Sequence, residues 1–184
     1  MAREHRTDHR PVHPGRRLSS YPIAAVAEGP WPARLGLGPI PAGGEDPAAI
    51  AAWGTSTVLG LTTAQEAERH GWSDLADRLA AVGITWLNAP IEDFMVPDAA
   101  FERAWPALRD RLIAVLDGGG RILVHCRGGR GRSGTVVAAL LVAGGLPADE
   151  AVRVVRKARP GAIETPDQEA WIRQLTAGPQ GRTR

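Results

Sequence analysis

One cysteine, one tyrosine, two phenylalanines and two methionines are all that 184 residues hold of those types. A single thiol excludes an internal disulfide framework and any multi-cysteine zinc site. No apolar run approaches the length that spans a bilayer; the longest, Thr135 to Ala143, stops at Gly144 and Gly145. The first residues lack the apolar core of a secretory signal. A reducing cytoplasm is therefore the expected compartment, and it would also protect a reactive thiol. A large charge of one sign is missing as well, since the formal net charge is +2. Much of the basic excess sits at the ends, in Arg3, Arg6, Arg10, Arg16 and Arg17 and then in Arg182 and Arg184. That balance gives no argument for nucleic acid, and none is expected as a partner.

What is present is enough for one globular domain, with 43% apolar residues in a chain of ordinary domain length. Residues 1–20 are rich in Arg, His and Pro and read as a flexible basic arm. His5, His9 and His13 recur every fourth residue, but Pro11 and Pro14 break the helix that would align them. Residues 21–178 read as the folded domain and 179–184 as a flexible tail. No internal repeat or linker divides it.

Within the domain, strand and helix signals alternate. Tyr21 to Gly44 predicts short edge strands or a hairpin among Pro and Gly. Asp46-Pro47 offers a cap and a first helical proline for a helix to about Trp53. Ser56 to Leu61 reads as a buried strand, and Thr63 caps a short helix. Ser73 to Val82 has helical spacing, and Ile84 to Ala89 reads as a strand. Asp98 caps a long helix from Ala99 to Leu116, bent or restarted before Pro106. Arg121 to His125 is a short buried strand, and Ser133 to Ala143 an almost wholly apolar helix. Pro147 and Thr165-Pro166 open two more helices. This order predicts an α/β domain of three layers, a central mostly parallel sheet with helices on both faces.

The chemistry lies in His125-Cys126-Arg127-Gly128-Gly129-Arg130-Gly131-Arg132-Ser133-Gly134-Thr135, between that strand and that helix. Glycines in the turn permit unusual backbone angles and let successive amide N–H groups face inward. With the following helix N-terminus, those amides form a cradle for a dianion. Arg132 lies six residues after Cys126, so a closed loop returns its guanidinium over the same anion. A planar fork suits two phosphate oxygens better than a lysine does. The same positive field favours the thiolate, which is the nucleophilic form of sulfur.

This stretch resembles the signature of the protein tyrosine and dual-specificity phosphatase superfamily: His-Cys, five residues, then Arg and Ser or Thr. The stretches Arg34-Leu35-Gly36-Leu37, Val58-Leu59, Pro90-Ile91-Glu92-Asp93 and Ala162-Ile163-Glu164-Thr165 are similar to the branch containing cyclin-dependent kinase inhibitor 3. The resemblance implies a dual-specificity phosphatase-like fold and a phosphocysteine intermediate on Cys126. It implies that Arg132 binds phosphate throughout, that Ser133 helps the thiolate leave, and that no metal or other cofactor is used. The loop residues Arg127, Gly128, Gly129, Arg130 and Gly131 would join Arg132 in binding substrate. The partner would be a phosphorylated protein or another phosphate ester.

An oxygen leaving group needs a proton, so a carboxylic acid must hang over the cradle. Asp93 aligns with the family's aspartate. Asp98 is the rival but reads as a helix cap, and Glu92 would point elsewhere. Glu164 and Gln168 resemble the family's late loop near the hydrolytic water, where many tyrosine-specific members carry glutamine in place of Glu164. Both residues also read simply as the first turn of the last helix. His125 is expected to hold the loop through hydrogen bonds or to be a core residue.

Three other functions compete. Arg127 and Arg130 stand where phosphoinositide-directed relatives carry lysines, so a polyanionic lipid headgroup is the alternative substrate. A loop opening Cys-Arg-x-Gly also resembles rhodanese-type sulfur transferases, which lack the Ser133-Gly134 continuation. A phosphate-binding pseudophosphatase is the third, against which Cys126, Arg132, Ser133 and Asp93 are all intact. Low-molecular-weight phosphatases share the spacing but place the loop near the N-terminus.

Overall fold

β-Branched and leucine-rich runs too short for helices build the centre of the molecule. The computed structural model describes residues 21–176. The basic arm, its histidine series and the tail at 179–184 lie outside the described residues. The strands are β1 (Ala24–Ala25), β2 (Leu35–Gly38), β3 (Thr55–Gly60), β4 (Thr85–Asn88) and β5 (Arg121–His125). They form one sheet in the order β1-β2-β5-β3-β4, in which only the short β1 is antiparallel to its neighbour.

Seven helices cover the described sheet. They are α1 (Asp46–Ala52), α2 (Ala64–His70), α3 (Leu75–Ala80), α4 (Ala99–Asp117), α5 (Gly131–Ala143), α6 (Ala148–Ala158) and α7 (Pro166–Gln174). The two faces of the sheet separate residue by residue, as the period of two along a strand requires. Ile122 and Val124 of β5 enter the larger core with α4 to α7, while Leu123 between them enters the smaller core with Ile50 of α1 and Leu79 of α3. This is the three-layer α/β arrangement with helices on both faces, in a mostly parallel sheet.

Two local expectations shift. α1 begins a residue early, with Glu45 at the cap position, because the Asp46 carboxylate accepts instead from the Gly43 N–H at 2.7 Å. α4 runs through Pro106 as one helix from Ala99 to Asp117. Packing of Phe101, Trp105, Leu112 and Leu116 against the larger core outweighs the backbone bond that the proline removes.

The topology fixes the site. β5 is central, flanked by β2 and β3, and Cys126 follows it directly at the C-terminal edge. In parallel sheets that edge is where ligands bind. α5 then leaves the loop and is buried on all sides, with Val136, Val137, Leu140 and Leu141 almost fully enclosed. Truncating one such leucine costs about 2–5 kcal/mol, so the helix that follows the loop is a rigid base for it.

Candidate active site

The loop from Cys126 to Arg132 connects the central strand to the central helix. Gly129 has φ +69°, and a Cβ there would overlap the Gly38 carbonyl and the Pro39 nitrogen at the end of β2. Glycine is therefore required for the loop to rest on its neighbouring strand. The loop is also tied down by its carbonyls. Ile40 N–H donates to Arg127 O at 3.1 Å, Arg159 Nη2 to Gly128 O at 3.0 Å, and Gly134 N–H and Ile163 N–H to Arg130 O at 2.9 and 3.3 Å.

The amide side of the same peptides is different. The backbone N–H groups from Arg127 through Ser133 donate to no acceptor among the described residues. Orphan amides at a helix N-terminus are a ready site for an anion.

Cys126 is 3% exposed, and its Sγ lies 3.5 Å from Ser133 Oγ. Arg132 is 1% exposed, a charge that must be paired to be buried. Its Nη1 donates to Glu66 Oε2 at 2.7 Å and to Ile91 O at 2.9 Å, and its Nη2 donates to Glu66 Oε1 at 2.9 Å. Asp93 Oδ1 also stands 2.9 Å from Nη2. The buried Nε alone has no partner among the described residues. Burial works against the Arg132 charge, but Glu66, the Cys126 sulfur and Asp93 more than offset it and hold its pKa above the usual arginine value. Burial likewise pushes the Glu66 carboxyl up, yet hydrogen bonds from Arg132 and Thr63 overcome this and hold it below the usual carboxylate range.

The structure brings Asp93 to Arg132 and leaves Asp98 elsewhere. Asp98 accepts from the Phe101 N–H at 2.8 Å and caps α4. Phe94, next to Asp93, has φ +62°, a conformation that costs a bulky residue about 1–3 kcal/mol. Its N–H donates to Asp93 Oδ1 at 3.2 Å.

His125 is fully buried and stacks on Trp86 with ring centroids 5.3 Å apart. Nδ1 lies 3.3 Å from Cys126 O, and Nε2 has no partner among the described residues. Burial pulls its pKa down from 6.5 to about 4, so the ring is neutral at neutral pH.

Glu164 and Gln168 both reach the loop, where their side chains lie against Gly131. The Gln168 amide bonds through both of its ends: Oε1 accepts from Glu164 N–H at 2.9 Å and Thr165 N–H at 3.3 Å, and Nε2 donates to Met95 O at 3.2 Å. Arg127 and Arg130 are exposed at the loop. Beside them a cleft of about 240 Å³ opens at the same edge of the sheet, lined by Ile40, Thr62, Thr63, Trp72, Trp86 and Asn88.

Sequence reasoning missed Glu66 and Met95. Thr63 and Glu66 do carry a legible signal, the Thr-x-x-Glu capping box that starts α2. The pairing of Glu66 with Arg132, 66 positions away, has no local signature.

A pattern model for the DSP-PTPase phosphatase domain of Swiss Army Knife proteins, PTP-SAK, matches residues 31–172. The chain belongs to this dual-specificity and tyrosine phosphatase family. Among curated proteins, it is 33% identical to tyrosine-protein phosphatase CDC14 of Saccharomyces cerevisiae over 92 residues, which is 50% of this chain and 16% of that protein. The chain thus matches only a small part of this much longer relative. Among solved structures it is similar to kinase-associated phosphatase carrying serine for its catalytic cysteine, with a TM-score of 0.68, 26% identity, and coverage of 75% of this chain and 83% of that one. Tk-PTP in its active form gives 0.66, 29% identity, and coverage of 77% and 90%. The fold is that of the dual-specificity phosphatases. The likeness is to phosphatases.

Proposed function

We propose that the chain hydrolyses phosphate monoesters through a phosphocysteine on Cys126, with phosphotyrosine in proteins as the first substrate and phosphoserine or phosphothreonine as further ones. The observation that carries this reading is the combination of unused donors around one sulfur. The amides from Arg127 to Ser133 and the buried Arg132 Nε have no partner among the described residues, and the oxygens of a phosphate dianion are acceptors suited to such donors.

In the first step the Cys126 thiolate attacks phosphorus and the P–O ester bond breaks. Asp93 gives its proton to the departing oxygen. Arg132 and the loop amides hold the three non-bridging oxygens, where negative charge is concentrated. In the second step a water attacks phosphorus, Asp93 accepts its proton, and the P–S bond breaks. Ser133 Oγ, 3.5 Å from the sulfur, donates to the thiolate as it forms. Inorganic phosphate leaves.

A polyanionic phosphoinositide headgroup is the second reading. Arg127 and Arg130 are exposed on the loop itself and have no side-chain partner among the described residues, so they are free to meet extra phosphates. The reducing cytoplasm is the proposed setting, because the nucleophile is a lone thiol. No described helix is long and apolar enough to cross a membrane.

Turnover of phosphotyrosyl, phosphoseryl and phosphothreonyl peptides and of soluble phosphoinositides tests the reading, in EDTA and reductant. Phosphotyrosyl peptides are expected to be hydrolysed with the highest kcat/KM, and Cys126→Ser to abolish all turnover. Preference for the inositol lipids would select the second reading. Thiosulfate–cyanide activity without phosphatase activity would overturn both.

A further inference from the structure

The segment that carries Asp93 is held at two points. On one side the Asp93 carboxylate meets Arg132 Nη2 at 2.9 Å. On the other, Gln168 Nε2 donates to Met95 O at 3.2 Å. Between the two lies Phe94, in the left-handed region at φ +62°. Its side chain is 61% exposed, so burial of its own ring does little to hold that backbone in place. A strained residue persists only where its surroundings over-determine it, and here the surroundings are those anchors, the bond from Phe94 N–H to Asp93 Oδ1 at 3.2 Å and a turn bond from Met95 N–H to Glu92 O at 3.1 Å.

Gln168 is fully buried, and three hydrogen bonds engage its amide. Oε1 serves Glu164 N–H and Thr165 N–H at the start of α7. The face of the amide lies against Gly131 at the start of α5. Nε2 alone reaches across to the segment after Asp93. One side chain thus joins the phosphate loop, the start of the last helix and the acid-bearing segment.

We propose that Gln168 is a positioning residue that holds Asp93 over the cradle; the inference rests on Asp93 being the general acid of the proposed reaction. Gln168 acts through Met95, whose carbonyl accepts from its Nε2. When its Nε2–H is removed, Phe94 is free to leave the left-handed region, and the adjacent carboxylate moves away from the leaving oxygen. The cradle amides, Arg132 and Cys126 keep their places. Loss of rate is therefore selective: substrates whose leaving group most needs a proton suffer most.

The test measures kcat/KM for aryl phosphates of rising leaving-group pKa, with wild type, Gln168→Met, Asp93→Asn and the double variant. Thr165→Ala removes the other half of the α7 cap and serves as the structural control. Gln168→Met is expected to lower kcat/KM about tenfold for phenyl phosphate. The most acidic leaving groups should change little, so dependence on leaving-group pKa steepens. In the Asp93→Asn background the same change should cost nothing further. Thr165→Ala should lower the melting temperature without steepening that dependence. A uniform loss across the series, or a loss that adds to that of Asp93→Asn, would overturn the positioning role while leaving the acid in place. An Asp93→Asn series as flat as wild type would instead overturn the acid assignment and the positioning role with it. If Gln168→Met does not fold, Gln168→Asn, whose amide falls one methylene short of Met95, carries the same comparison.

Discussion

Glu66 grips Arg132 through both carboxylate oxygens, at 2.7 and 2.9 Å, and the same carboxylate accepts from the Thr63 N–H at 2.9 Å to start helix α2. The helix cap and the anchor of Arg132 are one group. Removing one partner of a buried, bidentate pair costs up to about 3–5 kcal/mol, and Asp93 at 2.9 Å leaves Arg132 part of its compensation. Glu66→Gln keeps an oxygen for Thr63 but loses the charge. It is expected to destabilise the fold by an amount of that order in urea titration. It should also weaken competitive inhibition by inorganic phosphate about tenfold or more, because Arg132 is no longer aimed. An unchanged inhibition constant would separate Glu66 from phosphate binding.

Ser133 Oγ lies 3.5 Å from Cys126 Sγ. If its hydroxyl assists the departing thiolate, Ser133→Ala slows the second step and spares the first. Rapid mixing with p-nitrophenyl phosphate should then give a burst of p-nitrophenol close to one equivalent, followed by slow turnover. The absence of any burst, with turnover also slowed, would move Ser133 to the first step.

His125 is neutral and buried, with its pKa pulled from 6.5 to about 4 by desolvation. The unfolded chain therefore binds a proton between those values that the folded chain refuses. Stability from this group is fully present above about pH 6.5, and it is lost as pH falls from 6.5 towards 4. Over that window the loss is about 3 kcal/mol at 1.36 kcal/mol per pKa unit. Thermal melts at pH 7 and pH 5 should show a smaller difference for His125→Gln than for wild type. Equal differences would assign the acid sensitivity to other groups.

Gly60 ends β3 under the indole of Trp86, where a Cβ would overlap the ring. Trp86 in turn stacks on His125, one residue before Cys126. Gly60→Ala is expected to push the indole off the imidazole and to destabilise the fold by about 1–3 kcal/mol. A shift in tryptophan emission together with a lower urea midpoint would be the signature.

The loop was legible because its chemistry is local in sequence. Nucleophile, glycines and arginine lie between Cys126 and Arg132, and the hydrophobic pattern sets β5 at Arg121–His125 and a buried helix behind it. The caps at Thr63, Asp98 and Thr165 were legible for the same reason, since each serves an amide three residues on. What could not be read were contacts across the fold. Glu66 meets Arg132 over 66 positions, and Gln168 meets Met95 over 73. Those contacts depend on β3 and β5 lying side by side and on α7 returning to the loop, which no local pattern specifies. The capping box at Thr63 hid the second task of Glu66, because a complete local explanation was already available.

The most direct measurement is the covalent state of Cys126 during turnover. Wild type mixed with p-nitrophenyl phosphate in EDTA is quenched after milliseconds, digested and examined by mass spectrometry for a phosphoryl group on the peptide that carries Cys126. An S-phosphoryl group on that peptide is expected, resistant to hydroxylamine and more stable to base than to acid, and Cys126→Ser should show neither the adduct nor turnover. Metal-independent hydrolysis that persists in Cys126→Ser, or a phosphoryl group found on a different residue of the active wild type, would contradict the phosphocysteine mechanism.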